Sequence, residues 1–136
     1  MKTFLLFAFS FLWLNYSSAQ EAPAKANTII LTIADTSHIR EKIIKVFTDK
    51  GYAIQKKVKN PNTIITEAKT LKNSRVSLQA EVKESEVIIT GNIVVVAQGN
   101  MRIENKGNKG TMILNAWEEM DKVAKAFGVK LKYEVR

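Results

Sequence analysis

Residues 75–96 read RVSLQAEVKESEVIITGNIVVV, and the placement of apolar residues in this stretch decides the fold. Val76, Leu78, Ala80 and Val82 alternate with Ser77, Gln79, Glu81 and Lys83, the period-two pattern of a strand with one face on a core and the other in water. Lys83 to Glu86 is a short polar turn. From Val87 to Val96 apolar residues fall on both sides of the chain: Val87, Ile89, Ile93 and Val95 on one, Ile88, Val94 and Val96 on the other. Gly91 interrupts this second strand and is expected to mark a bulge or bend.

Toward the amino terminus, Thr28 to Ile33 alternates in the same way, with Ile29, Leu31 and Ile33 facing a core. Asp35, Thr36 and Ser37 are candidate N-caps for a helix whose stripe is Ile39, Ile43, Val46 and Phe47 and which Gly51 closes. Tyr52 to Val58 alternates and reads as a strand, Asn60-Pro61-Asn62 punctuates it, and the β-branched run from Thr63 to Ala68 is expected to return as its hairpin partner. Lys72-Asn73-Ser74 makes the next turn.

Toward the carboxyl terminus, Gln98 to Gly110 holds three glycines and three asparagines and reads as a mobile segment, with Met101 and Ile103 as strand-like contacts inside it. A second helix carries the stripe Ile113, Ala116, Trp117, Met120, Ala124 and Phe127 and ends at Gly128. Val129 to Val135 alternates as a final strand. The expected order is therefore βαββββαβ: an α+β two-layer sandwich, with a mostly antiparallel sheet of about six strands and both helices on one face.

The chain opens differently. Lys2 precedes the run FLLFAFSFLWL from Phe4 to Leu14, which polar Asn15, Ser17 and Ser18 end well short of the ~20 apolar residues of a spanning helix. Small residues at Ser17 and Ala19 complete the pattern of a cleavable signal peptide over residues 1–19, with a mature start at Gln20. Residues 20–27 (QEAPAKAN) read as a flexible tether and 28–136 as a single domain, with no transmembrane span in the mature chain. Export implies a periplasmic or secreted protein. There is no cysteine, which excludes disulfides, thiol chemistry, Cys-ligated metals and a lipid anchor on Cys.

Of 21 Lys and Arg, the signal removes only Lys2, leaving a basic mature chain against 13 Asp and Glu. That surplus favours acidic partners. Lys50, Lys56, Lys57, Lys59, Lys69 and Lys72 gather around the Pro61 turn, and Lys56, Lys57 and Lys59 form the candidate patch for an anionic partner. Nucleic acid is not expected, because this region offers Tyr52 alone for stacking. Ile88, Val94 and Val96, on the far side of the sheet, form a candidate interaction face, covered either by residues 98–110 or by another protein, including a second copy.

Catalytic and cofactor signatures are lacking. His38, the single histidine, lies too close in sequence to Asp35 and Ser37 for the three to act as a triad, and one His without Cys does not make a zinc site. Glu84 and Glu86 flank a turn and Glu118 and Glu119 are adjacent on a helix, so neither pair is set to work across a scissile bond. Asn105 to Thr111 (NKGNKGT) resembles a phosphate loop in composition, but Lys109 precedes Gly110 and the P-loop order fails. A looser anion site at the following helix start is the most that stretch offers. No catalytic, metal or cofactor residues are assigned.

Ser17-Ser18-Ala19-Gln20, the strand-helix start, the hairpin into Ile65-Thr66-Glu67, and the helix WEEMDKVAKAF followed by an alternating strand are similar to small exported α+β proteins of Bacteroidetes-type bacteria. The resemblance implies an envelope or secreted domain and carries no catalytic residues with it. The expected function is that of a non-catalytic binding module, with structural self-association through the sheet and a hydrolase without a recognisable motif as the alternatives.

Overall fold

A computed structural model describes residues 21–95 and 99–136. The expected signal peptide, Gln20, Val96 and Gln98 lie outside the described residues. Seven strands and two helices follow in the order β1 (Thr28–Thr32), α1 (Ile39–Asp49), β2 (Thr63–Ile65), β3 (Lys69–Thr70), β4 (Arg75–Lys83), β5 (Glu86–Val95), β6 (Gly99–Arg102), α2 (Met112–Lys125) and β7 (Leu131–Glu134). The strands make one antiparallel sheet in the order β2-β4-β5-β1-β7, with β3 extending along β4 and β6 along β5.

The β4–β5 hairpin is the longest ladder, running from Arg75 opposite Val94 to Lys83 opposite Glu86. Its two-residue turn puts Glu84 in the left-handed region, at φ 54°. Ile29, Leu31, Val76, Leu78, Ala80, Val87, Ile89 and Ile93 point from one face of the sheet into a single core. Ile39, Ile43 and Phe47 of α1 and Ala116, Trp117, Met120, Val123 and Ala124 of α2 close it from above. Both helices therefore cover the same face. Phe47 meets Phe127 edge-on at 6.4 Å between ring centroids, and Trp117 lies 5.9 Å from Tyr133, so aromatic pairs bind the helical layer together and to β7.

Five local readings are corrected. Tyr52 to Val58 is not a strand: its regular pairing is limited to a bridge between Ile54 and Thr66, flanked by Gln55 N–H donating to the Ile65 carbonyl and Glu67 N–H to that of Ala53. The sheet ends at β2, so beyond Ile54 the alternation has nothing to be buried against. The returning run from Thr63 to Ala68 forms β2 only as far as Ile65, and pairing resumes past its end as β3, slipped by one residue between Ile65 opposite Gln79 and Lys69 opposite Val76. This is a bulge, and buried Thr66 stabilises it by accepting a 2.9 Å hydrogen bond from Leu78 N–H at its hydroxyl.

Gly91 marks no bulge, since the β4–β5 register runs through it unbroken with Leu78 opposite. It is small because Ile103 lies against it: a Cβ there would sit 2.6 Å from Ile103 Cδ1. Residues 99–110 correspondingly contain a strand, β6, which lies along β5, and on the far side of the sheet Arg102 Nη2 donates to Thr28 Oγ1 at 3.1 Å. Met101 and Ile103 instead join the helix-side core, Ile103 fully buried.

The expected tether is held against the domain from Ala22 onward. Asn105 Nδ2 donates to the Ala22 and Pro23 carbonyls, Lys25 and Asn105 exchange backbone bonds with Asn105 and Ala26, and Asn27 N–H reaches the Glu134 carbonyl. These residues continue the line of β1, so the amides that would otherwise meet water find partners there.

Candidate functional site

The basic segment that follows α1 is framed by ordered structure on both sides. Gly51, at φ 88°, lets the chain leave the helix, and Tyr52 N–H returns to the Phe47 carbonyl while its ring enters the core at 2% exposure. Behind this turn lies a polar clasp. Lys69 Nζ donates to the Lys50 carbonyl at 2.7 Å and to Glu119 Oε1 at 3.0 Å, and stands 4.9 Å from the centroid of the Tyr52 ring. Tyr52 Oη donates to the same Glu119 oxygen at 3.2 Å. One carboxylate of α2 thus gathers the end of α1, β3 and the start of the basic segment.

The clasp keeps Tyr52 protonated. Burial, and after it the charge and hydrogen bond of Glu119, raise its phenol far above the ordinary tyrosine value. A phenol in that state donates a hydrogen bond and does not serve as a nucleophile at neutral pH. Tyr133 is raised in the same sense, first by burial and then by Asp121, which accepts its hydroxyl at 2.7 Å.

Lys56, Lys57 and Lys59 lie beyond the clasp, all exposed, on an irregular run in which Val58 is half-buried. The far end is pinned where Arg40 Nη1 donates to the Pro61 carbonyl at 3.1 Å and Asn62 N–H donates to Asn60 Oδ1 at 2.9 Å. Among the described residues none of these three lysines forms an ion pair, whereas Lys45, Lys69, Lys106, Lys125 and Lys132 each hold a carboxylate within 3.0 Å. Lys56 and Lys57 also edge a shallow groove with Ala53, Ile54, Gln55 and Glu67. The larger lysine cluster divides. Lys69 is spent in the clasp, and Lys72 lines a separate hollow with Asn73, Asn115, Glu118 and Lys122.

In the second candidate face, Ile88 is buried and Val94 is partly so. Ile88, at 7% exposure, pairs across the ladder with Ile30, at 2%, and their outer neighbours Glu81 and Lys132 flank them. Val94 is half-buried opposite Arg75 and Asn100, and Val96 lies outside the described residues. Two isoleucines side by side in the ladder shield one another.

His38 is exposed in the left-handed region at φ 58° and occupies the N-cap of α1 without a side-chain bond. Asp35 Oδ1 takes hydrogen bonds from Ser37 N–H and Oγ at 2.9 and 2.6 Å, which lower its carboxyl below the usual range. Asp35 and Ser37 thus form an Asx turn and cap each other rather than the helix. Thr111 caps α2, its Oγ1 accepting from Leu114 N–H, so the glycine-rich stretch before it ends in an ordinary helix start. Of the adjacent Glu118 and Glu119, Glu119 alone enters the clasp. Among the described residues no three His, Asp or Glu side chains converge as metal ligands.

Sequence reasoning missed the clasp and the Asp121–Tyr133 bond. Each joins residues far apart in the chain, and neither leaves a local pattern to read. No protein-family model matches the chain, and no curated protein is similar enough to count as a relative.

Proposed function

We propose that this is an exported, non-catalytic binding protein of the cell envelope or the secreted fraction, and that Lys56, Lys57 and Lys59 hold an anionic partner. The observation that carries the reading is the contrast in charge. These three cations stand within four residues of one another, exposed and without a carboxylate in contact among the described residues, on a segment braced by Tyr52 and Pro61. Three like charges so placed repel one another in the free protein, and an anionic surface relieves that repulsion. Bracing lowers the ordering cost of binding, because the segment's ends are already fixed.

The leader-like start supports export, and cleavage after Ala19 predicts a mature protein beginning at Gln20. Intact mass of the protein recovered outside the cytoplasm tests that part; a product retaining residues 1–19 refutes it. Cosedimentation with phosphatidylglycerol and phosphatidylcholine vesicles, and with purified anionic envelope polymer, tests the other. Binding to at least one anionic probe should weaken as salt rises and the Debye length falls below ~8 Å. Replacing Lys56, Lys57 and Lys59 together with Gln should flatten that dependence. Unchanged low-salt binding after the triple replacement rejects the site while leaving export untouched.

A further inference from the structure

The groove beside the lysine segment carries one feature that a plain anion does not explain. It is lined by Ala53, Ile54, Gln55, Lys56, Lys57 and Glu67. Lys56 and Lys57 border it with positive charge and Glu67 with negative, all three exposed, yet among the described residues Glu67 forms an ion pair with neither lysine. The backbone sets them apart. Glu67 N–H donates to the Ala53 carbonyl and Gln55 N–H to that of Ile65, with Ile54 bridged to Thr66 between them. Glu67 therefore stands beside Ala53, while Lys56 and Lys57 lie beyond Gln55 along the chain. At ~3.3 Å per extended residue, the offset from Ala53 to Lys57 is on the order of 10 Å. Uncharged Ala53, Ile54 and Gln55 fill that interval, the last two half-buried.

A carboxylate at the margin of a cationic groove opposes a simple anion, because the incoming negative charge approaches Glu67 as well as the lysines. The arrangement suits a ligand that carries both signs, with an anion toward Lys56 and Lys57, a cation toward Glu67, and a short aliphatic link over Ala53 and Ile54. We infer that the groove takes the headgroup of phosphatidylethanolamine, phosphate at the lysine end and primary ammonium at Glu67, and that Glu67 determines this specificity. The inference rests on the reading of Lys56, Lys57 and Lys59 as the anion-binding segment and names the surface that segment meets. A bilayer is favoured over a soluble ester because Lys59 stands outside the groove, so the charge to be met is spread over more than one headgroup. Anionic lipid then supplies the attraction and the ammonium lipid the selectivity. A primary ammonium brings three N–H donors to the carboxylate. Choline brings the same charge with no N–H, and its methyl groups hold that charge away.

Cosedimentation of the chain from Gln20 onward, which lacks the apolar run Phe4 to Leu14, tests the inference on vesicles of equal phosphatidylglycerol content, made up with either phosphatidylethanolamine or phosphatidylcholine. Binding to the ethanolamine vesicles should be roughly threefold tighter or more. Glu67→Gln keeps the backbone bond to Ala53 and removes the charge, so it should erase that preference and strengthen binding to the choline vesicles, where a repelling charge is gone. Soluble phosphoethanolamine should displace the parent from ethanolamine vesicles better than phosphocholine or inorganic phosphate does, a measurement that needs no variant. Equal binding to both vesicles, a preference that survives Glu67→Gln, or competition blind to the amine overturns the inference while leaving salt-dependent lysine binding in place. Binding to anionic envelope polymer but to neither vesicle does the same. Absence of salt-dependent binding to every anionic probe refutes the lysine reading, and this inference with it.

Discussion

Replacing Gly91 by alanine tests how the β5 strand meets the chain that follows it. The added Cβ would lie 2.6 Å from Ile103 Cδ1, 2.9 Å from Leu78 Cδ2 and 3.0 Å from the Ser77 carbonyl oxygen. Two effects favour the change: a stiffer unfolded chain, at about 0.4–1 kcal/mol, and burial of one methyl group, at about 0.8 kcal/mol. Overpacking opposes them, at about 1–3 kcal/mol. The upper part of that range applies, because Ile103 and Leu78 are 0% and 1% exposed and the Ser77 oxygen belongs to the backbone of the central hairpin. Net destabilisation should therefore be about 1–2 kcal/mol by urea denaturation. Ile103→Val removes the closest atom and alone should cost about 0.5–1.5 kcal/mol. In the alanine background it should cost nothing or restore stability, a coupling of about 1 kcal/mol in the double-mutant cycle. Strictly additive effects, or a Gly91→Ala protein as stable as its parent, would show that Ile103 is not what requires the glycine.

Trp117, at 4% exposure beside Tyr133, belongs to the core, and Trp117→Ala should cost about 3–5 kcal/mol on chemical denaturation; near-parental stability would return it to the surface. Tyr52 and Tyr133 are both raised, so their neutral forms stabilise the fold below the unfolded tyrosine value of about 10, and this contribution is lost as pH climbs toward the folded values. In alkaline titration of the chain from Gln20 onward, which lacks Tyr16, phenolate absorbance should accordingly appear together with loss of far-UV circular dichroism, and phenolate forming in a still-folded protein at pH about 10 contradicts the assignment. On the far side of the sheet, Ile88→Lys should destabilise by more than about 2 kcal/mol, whereas half-buried Val94→Lys should cost less than about 1 kcal/mol. Equal effects of the two would mean that Ile30 and Ile88 do not form the shielded pair described.

Periodicity carried the fold wherever one side of an element is buried and the other is wet. The strand from Val76 to Val82, the strand from Thr28, and the stripes of both helices were legible for that reason, because apolar spacing records which face meets the core. It misled at the sheet margins. Tyr52 and Ile54 alternate as a strand would, yet among the described residues no further strand lies outside β2 to complete the pairing. β6 was hidden in a glycine- and asparagine-rich run, where Met101 and Ile103 were the sole apolar marks. The exposed lysines of residues 56–59 were legible from composition, but not the clasp that frames them. Its bonds join Lys69 and Tyr52 to Glu119, three positions related only after the helices have docked.

The place of β1 in the sheet has a bearing on when the protein can fold. It lies in the interior, between β5 and β7, yet it is made first: Ile29 waits for Ile89 on one side and for Tyr133 on the other. During synthesis this early strand therefore has no neighbour until β5 emerges and gains its second only with β7, whereas the β4–β5 hairpin closes within its own stretch of chain. Such long-range closure slows folding. In a chain exported as proposed above, that delay has a use: a polypeptide threaded through a membrane must arrive unfolded, and here the interior strand β1 is not flanked on both sides until β7 has passed.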